Sequence, residues 1–231
     1  MNETFDFEDG GGPVPAHRHK NPDGTTGGWV ADTAQVAETA GVGPDARVFA
    51  NAKVFDNAWV YGEAKVYGEA KVYGEAKVYG EAKVFGQAEV SGDAQVSGDA
   101  QVSGDAQVSG DAQVSGKARV YDHARVFGNA KIYGDAWVCG EAWVSGDAEV
   151  SGDAHVFGKA GVYGKAKVYD HARVYGEAHV YGKAKVFGDT QVSGDAQSES
   201  KAEVSGPNLR AELGAIQARR VQVQGKRVVG W

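Results

Sequence analysis

Residues 60–83 read VYGEAKVYGEAKVYGEAKVYGEAK, one six-residue unit repeated four times with nothing gained or lost between copies. A strict period of six cannot mark one face of an α-helix, which recurs every ~3.6 residues. It describes a coil built one short strand at a time, each strand stacking on a neighbour. The phase runs far beyond this stretch. From Val30 every sixth residue is Val as far as Val192, with Ile132 the only replacement; Ser198 breaks the series and Val204 resumes it. Four residues after each of these stands Ala, from Ala34 to Ala202, with Thr190 the only exception.

An Ala and a Val separated by one residue, as in Ala64-Lys65-Val66, put two small apolar side chains on one side of a short strand and the Lys on the other. The intervening Gly62-Glu63 makes the corner, because a sharp bend favours positive φ, which Gly adopts freely and Asp or Asn at small cost. Three strands and three corners close a triangle, so about 18 residues make one turn, and residues 30–209 hold about ten turns, roughly 48 Å tall at a strand spacing of about 4.8 Å.

This alternation of an aliphatic and a small residue at period six resembles the hexapeptide-repeat, left-handed parallel β-helix superfamily, which has the trimeric acyltransferase-like fold. Gly27-Gly28-Trp29-Val30 is similar to the opening signature of uncharacterised bacterial and phage-encoded members rich in YGEA and YGNA units. The resemblance covers residues 27–205 and implies an all-β, single-domain triangular prism wound left-handed. The left hand comes from the resemblance alone, since the usual crossover rule favours the right. The expected organisation is an N-terminal cap over 1–28, the β-helix over 29–205 and a C-terminal cap over 206–231.

Before the repeat, Phe5 and Phe7 are expected to pack on the open end of the first coil, and residues 10–15 to form a loop. His17 and His19 have the spacing of a small metal site, but no Cys or further His stands near, and a solvated loop is the plainer reading. In the tail, Asn208 resembles a helix N-cap before LRAELGAIQARR, and Val221 and Val223 alternate as in a strand. The expected cap is a helix followed by a strand or hairpin.

Outward residues carry the candidate surfaces. The residue after Val is aromatic in Tyr61, Tyr67, Tyr73, Tyr79 and Phe85, and residues one turn apart, such as Tyr61 and Tyr79, should stack, flanked by lysines such as Lys65 and Lys83. Trp137 and Trp143 are also outward but on adjacent faces, so they should not stack on each other. These aromatics read as cross-strand stabilisation or as a flat surface for a carbohydrate, a polymer or a protein. Over 90–114 the unit becomes VSGDAQ, which sets Asp93 and Asp111 one turn apart as a solvated girdle or a calcium ladder, the former favoured.

The formal charge of −7 argues against a general nucleic-acid binder. The lone Cys139 forms no internal disulfide and is expected to point outward without chemistry. The acidic N-terminus lacks an apolar signal region and no stretch is apolar enough to span a bilayer. A cytoplasmic location is expected, with export by a signal-independent route as the alternative.

Enzymes of the resembled superfamily place a catalytic His near loops extruded from the coil, or hold a metal with three His across a subunit boundary. Here no insertion breaks the register, and neither the His123/His171 pair nor the His155/His179 pair shares a face. Thr33, Thr39 and Thr190 are too sparse for an ice-binding face. The expectation is a non-enzymatic structural or interaction protein without cofactor or metal, self-associating as an end-to-end filament or a side-by-side trimer. Alternatives are an acyltransferase-like enzyme and a carbohydrate- or polymer-binding surface. The acidic Glu3, Asp6, Glu8 and Asp9 and the basic Arg210, Arg219, Arg220, Lys226 and Arg227 suggest tips of opposite charge, with Val221, Val223, Val228 and Trp231 supplying apolar end contacts.

Overall fold

The computed structural model describes residues 3–198, 203–205 and 221–222. Those residues form strands and turns and no helix. Most strands are two residues long, in most cases a polar residue followed by the register Val, and successive strands of the coil are dealt in rotation to three sheets, parallel throughout the coil. The first sheet carries the column Val30, Val48, Val66 and onward to Val192. The second runs from Gln35–Val36 to Gln197–Ser198 and the third from Gly41–Val42 to Glu203–Ser205. Ten rungs in the second sheet count ten coils, a triangular-prism-like β-solenoid.

Pairing between coils is parallel and in register, as in Lys83 with Lys65 on one side and Gln101 on the other. The ladder continues through the corners: Lys83 N donates to Ala100 O (2.9 Å), Phe85 N to Val102 O (3.0 Å) and Gln87 N to Gly104 O (2.8 Å). Inside, the Val and Ala columns are almost wholly shielded from water and fill the bore with one contiguous apolar core. Thr190 takes an Ala site at no polar cost, because its Oγ1 donates to the Phe187 carbonyl at 2.7 Å.

The corner demands glycine for two reasons that coincide. Gly80 has φ +71°, and a Cβ there would stand 3.0 Å from the Gly98 nitrogen of the next coil. Asp replaces Gly at Asp56, Asp122 and Asp170, all at positive φ. Each is compensated in the same way: its Oδ2 accepts the N–H of the corner glycine one coil on, Gly74, Gly140 or Gly188.

The N-terminal segment departs from expectation. Val14–Lys20 is a strand rather than the end of a loop, and it pairs antiparallel with Thr26–Ala31, while Thr4–Phe5 pairs with Val14 and Pro15. Phe5 and Phe7 do not plug the bore. Phe5 stacks on Trp29 (4.6 Å) in the column of Arg47 and Lys65, and Phe7 on Phe49 (4.8 Å), which extends the outer aromatic column of the first sheet. The open edge is closed by polar side chains: His19 Nε2 donates to Ala40 O and Asn21 Oδ1 accepts from Val42 N, so the first strand of the third sheet is satisfied without a further strand. His17 lies outside this closure, exposed and paired with Asp32 at 2.9 Å.

At the far end Val221–Gln222 returns as a parallel strand on Val204 and Ser205, as the alternation of Val221 and Val223 anticipates. The expected helix, together with Val223, Val228, Trp231 and the basic tail residues, lies outside the described residues.

Candidate interaction surfaces

The outward aromatics stack as the period of one coil requires. Tyr61 and Tyr79 lie 4.9 Å apart with 1° between planes, Phe55 and Tyr73 4.8 Å apart, and Phe49, Tyr67 and Phe85 form a run of three. The five rings singled out from the sequence therefore occupy three sheets: Tyr67 and Phe85 the first, Tyr73 the second, Tyr61 and Tyr79 the third. Lys65 and Lys83 belong beside Tyr67 and Phe85 on the first sheet, not beside Tyr61 and Tyr79, because a corner intervenes. Stacking turns the ring faces toward one another and leaves mainly edges to solvent. Burial raises the Tyr61 and Tyr67 hydroxyls above their ordinary pKa, with Tyr79 adding to the effect at Tyr61.

Trp137 and Trp143 stand on the first and second sheets and do not stack on each other. Trp137 lies parallel to His155 (4.9 Å, 3°) with the Arg119 guanidinium on its other side at 5.2 Å. Trp143 leans across Gly161 to stack on Tyr163 (4.9 Å, 9°), and a Cβ at Gly161 would meet the indole at 2.7 Å. Burial, and then the neighbouring Arg173, hold the His155 pKa below the ordinary imidazole value. A depressed folded pKa contributes stability that is complete above the unfolded value and lost as pH falls through the folded one. Acidification from neutral pH is therefore expected to lower the melting temperature of the native chain more than that of His155→Phe. Parallel melting curves across that range would refute the assignment.

Cys139 occupies an aromatic site beside Tyr121 on the first sheet and is half-buried rather than fully outward. Burial pushes its thiol pKa up against the lowering effect of the neighbouring Tyr121 hydroxyl, and Tyr121 is itself pushed up to about 12, chiefly by burial and then by Cys139. Such a thiol is a weak nucleophile.

The histidines are dispersed. His155 and His179 lie on the first and second sheets, while His123 and His171 sit at different corners and each contacts an Asp one coil back, Asp105 at 3.3 Å and Asp153 at 3.2 Å. Those two pairs are separated by one turn, a relation visible in the sequence once the turn length is known. Among the described residues no group of three or more His, Cys, Asp or Glu is placed to hold a metal ion. A lateral depression of about 660 Å³ is open and is lined by His123, Arg125, Phe127, Glu141 and Trp143.

At the N-terminal end one of the four acidic residues, Glu8, is neutralised within the chain. Glu8 folds back on the first sheet, where Arg47 at 2.8 Å and Lys65 at 3.6 Å hold its carboxylate below the ordinary pKa, Arg47 foremost.

This architecture defines a class, the β-solenoid repeat proteins. Within the chain, residues 94–110, 100–116, 118–131 and 166–182 match the family model described as the YdcK beta solenoid repeat. No curated protein matches the chain.

Proposed function

We propose that the protein is a non-enzymatic scaffold, a rigid β-solenoid rod that associates with further copies of itself, end to end or side by side. One observation carries this reading: the core column is unbroken from Val30 to Val192, and among the described coils every corner is closed by a short turn. A filled bore and unextruded corners leave no chamber or lid around which a substrate site is normally built. The resemblance to hexapeptide-repeat proteins supports a left-handed winding, and the net charge of −7 supports partners other than nucleic acid. Such a rod fits a cytoplasmic location.

The acyltransferase-like alternative would require sites built between prisms of a closed trimer. A carbohydrate- or polymer-binding role would use ring edges and the few aromatics outside stacks, such as Phe127, which is 39% exposed. Negative-stain imaging with small-angle scattering tests the scaffold reading. The expected particle is a rod whose coiled part is roughly 48 Å long, with assemblies that lengthen or widen it as concentration rises. A closed trimer that binds an acyl-carrier cofactor between its prisms would overturn it.

A further inference from the structure

The three corners of the prism carry different charge sequences, and one of them is self-complementary. Along the corner between the second and third sheets, one residue per coil, Thr39, Asn57 and Glu75 are followed by Asp93, Asp111, Asn129, Asp147, Lys165 and Lys183, the last six all exposed. Asp93 lies directly above Asp111 and Lys165 directly above Lys183, like charges at a spacing of about 4.8 Å, an arrangement that costs stability in an isolated ladder. Among the described residues none of these four has an ion-pair partner.

We propose that this corner is a homodimer seam, on which a second copy lies antiparallel about a two-fold axis between the Asn129 and Asp147 rungs. In that register Asp93 meets Lys183 of the second copy, Asp111 meets Lys165, and Asn129 meets Asp147, and the symmetry repeats each pairing. Asn129 already donates to Asp147 at 2.9 Å within the chain, so this amide–carboxylate pair can form across the axis as well. All six rungs, spanning roughly 24 Å, become favourable at once.

A second pattern, independent of charge, has the same symmetry. The residues that follow the register Val on the second sheet beside this corner are Ser91, Ser109, Phe127, Ser145, which is recessed and buried, Tyr163 and Tyr181. The same two-fold places Ser91 opposite Tyr181, Ser109 opposite Tyr163 and Phe127 opposite Ser145, a small residue facing a large one each time. Phe127 is 39% exposed because both its rung neighbours are serines, and a second copy would cover it.

The other corners differ. Between the first and second sheets, opposite charges are already joined within the chain, His123 to Asp105 and Lys159 to Glu177. Between the third and first, an antiparallel copy would set Asp135 against Asp153 and Asp99 against Asp189.

A seam along an edge buries less than the roughly 800 Å² per partner typical of stable complexes, so the dimer is weak and salt-sensitive. The proposal rests on the scaffold reading and narrows its side-by-side form. Sedimentation velocity on the full-length chain should show a concentration-dependent dimer at low ionic strength, with the dissociation constant weakened at least about tenfold at high salt. Asp93→Lys/Asp111→Lys and Lys165→Glu/Lys183→Glu should each be monomeric alone, and an equal mixture should recover the dimer, since every rung is again complementary. Imaging should show it at unchanged length and doubled width. Should a charge-reversed chain fail to fold, Lys165→Gln/Lys183→Gln should still lose the dimer. A wild-type monomer at low ionic strength, variants that associate as wild type does, or a mixture no better than its components would each overturn the seam. Rods that still join end to end in that case would leave the scaffold reading standing, whereas a closed ligand-binding trimer would remove both.

Discussion

Deletion of residues 66–83, one whole coil, is expected to leave a folded and shorter rod, whereas deletion of residues 78–82 collapses the structure from that point onward. The whole-coil deletion joins Lys65 to Val84 and returns every later residue to its own sheet, because each coil touches only its neighbours. Removing 78–83 keeps Val and Ala inside but shifts every later strand by one sheet, which turns the C-terminal end by a third of a turn against the N-terminal cap. Removing 78–82 puts Lys83, Gln87 and Glu89 into the bore in place of Val and Ala. The corners cannot absorb the surplus residue, since at Gly80 the next coil's backbone lies only 3.0 Å from where a Cβ would stand. Hydrogen exchange should find protection throughout the first two variants and only upstream of the deletion in the third. Equal losses for the five- and six-residue deletions would refute the register.

Val102→Lys is expected to cost at least about 3 kcal/mol, since the ammonium would enter a bore lined only by Val and Ala with no partner. Its neighbour supplies the control. Ser103 faces outward, half-buried between the Phe85 and Tyr121 rungs, where a lysine stem can lie along the rings and keep its charge in water, so Ser103→Lys should change stability by under about 0.5 kcal/mol. Thermal melts of the two variants check the order, and its reversal would exchange the inner and outer assignments. The contrast shows how narrow the specification is: adjacent residues on one strand live in opposite environments, and the alternation of the strand alone separates them.

What was legible and what was not divides along the range of the forces involved. The Val column, the Ala column and the Gly corners are local, period-six features, and since each coil contacts only its neighbours, a period in sequence becomes a period in space. The sheet assignment of the strands, the stacking of Tyr61 on Tyr79 and the separation of Trp137 from Trp143 follow by counting once the turn length is known. Tertiary structure decided everything that depends on a corner or an end. It moved Lys65 and Lys83 away from Tyr61 and Tyr79, because a right answer about spacing says nothing of which side of a bend a neighbour falls on. It used Asp122 and Asp170 to close the ladder where Gly is missing, a bond made only because the next coil's N–H lies within reach of a carboxylate at positive φ. The cap shows the same limit: His19 and Asn21 carry no periodic signal, and their side chains acquire a role only where the first coil leaves Ala40 and Val42 with unpaired backbone groups.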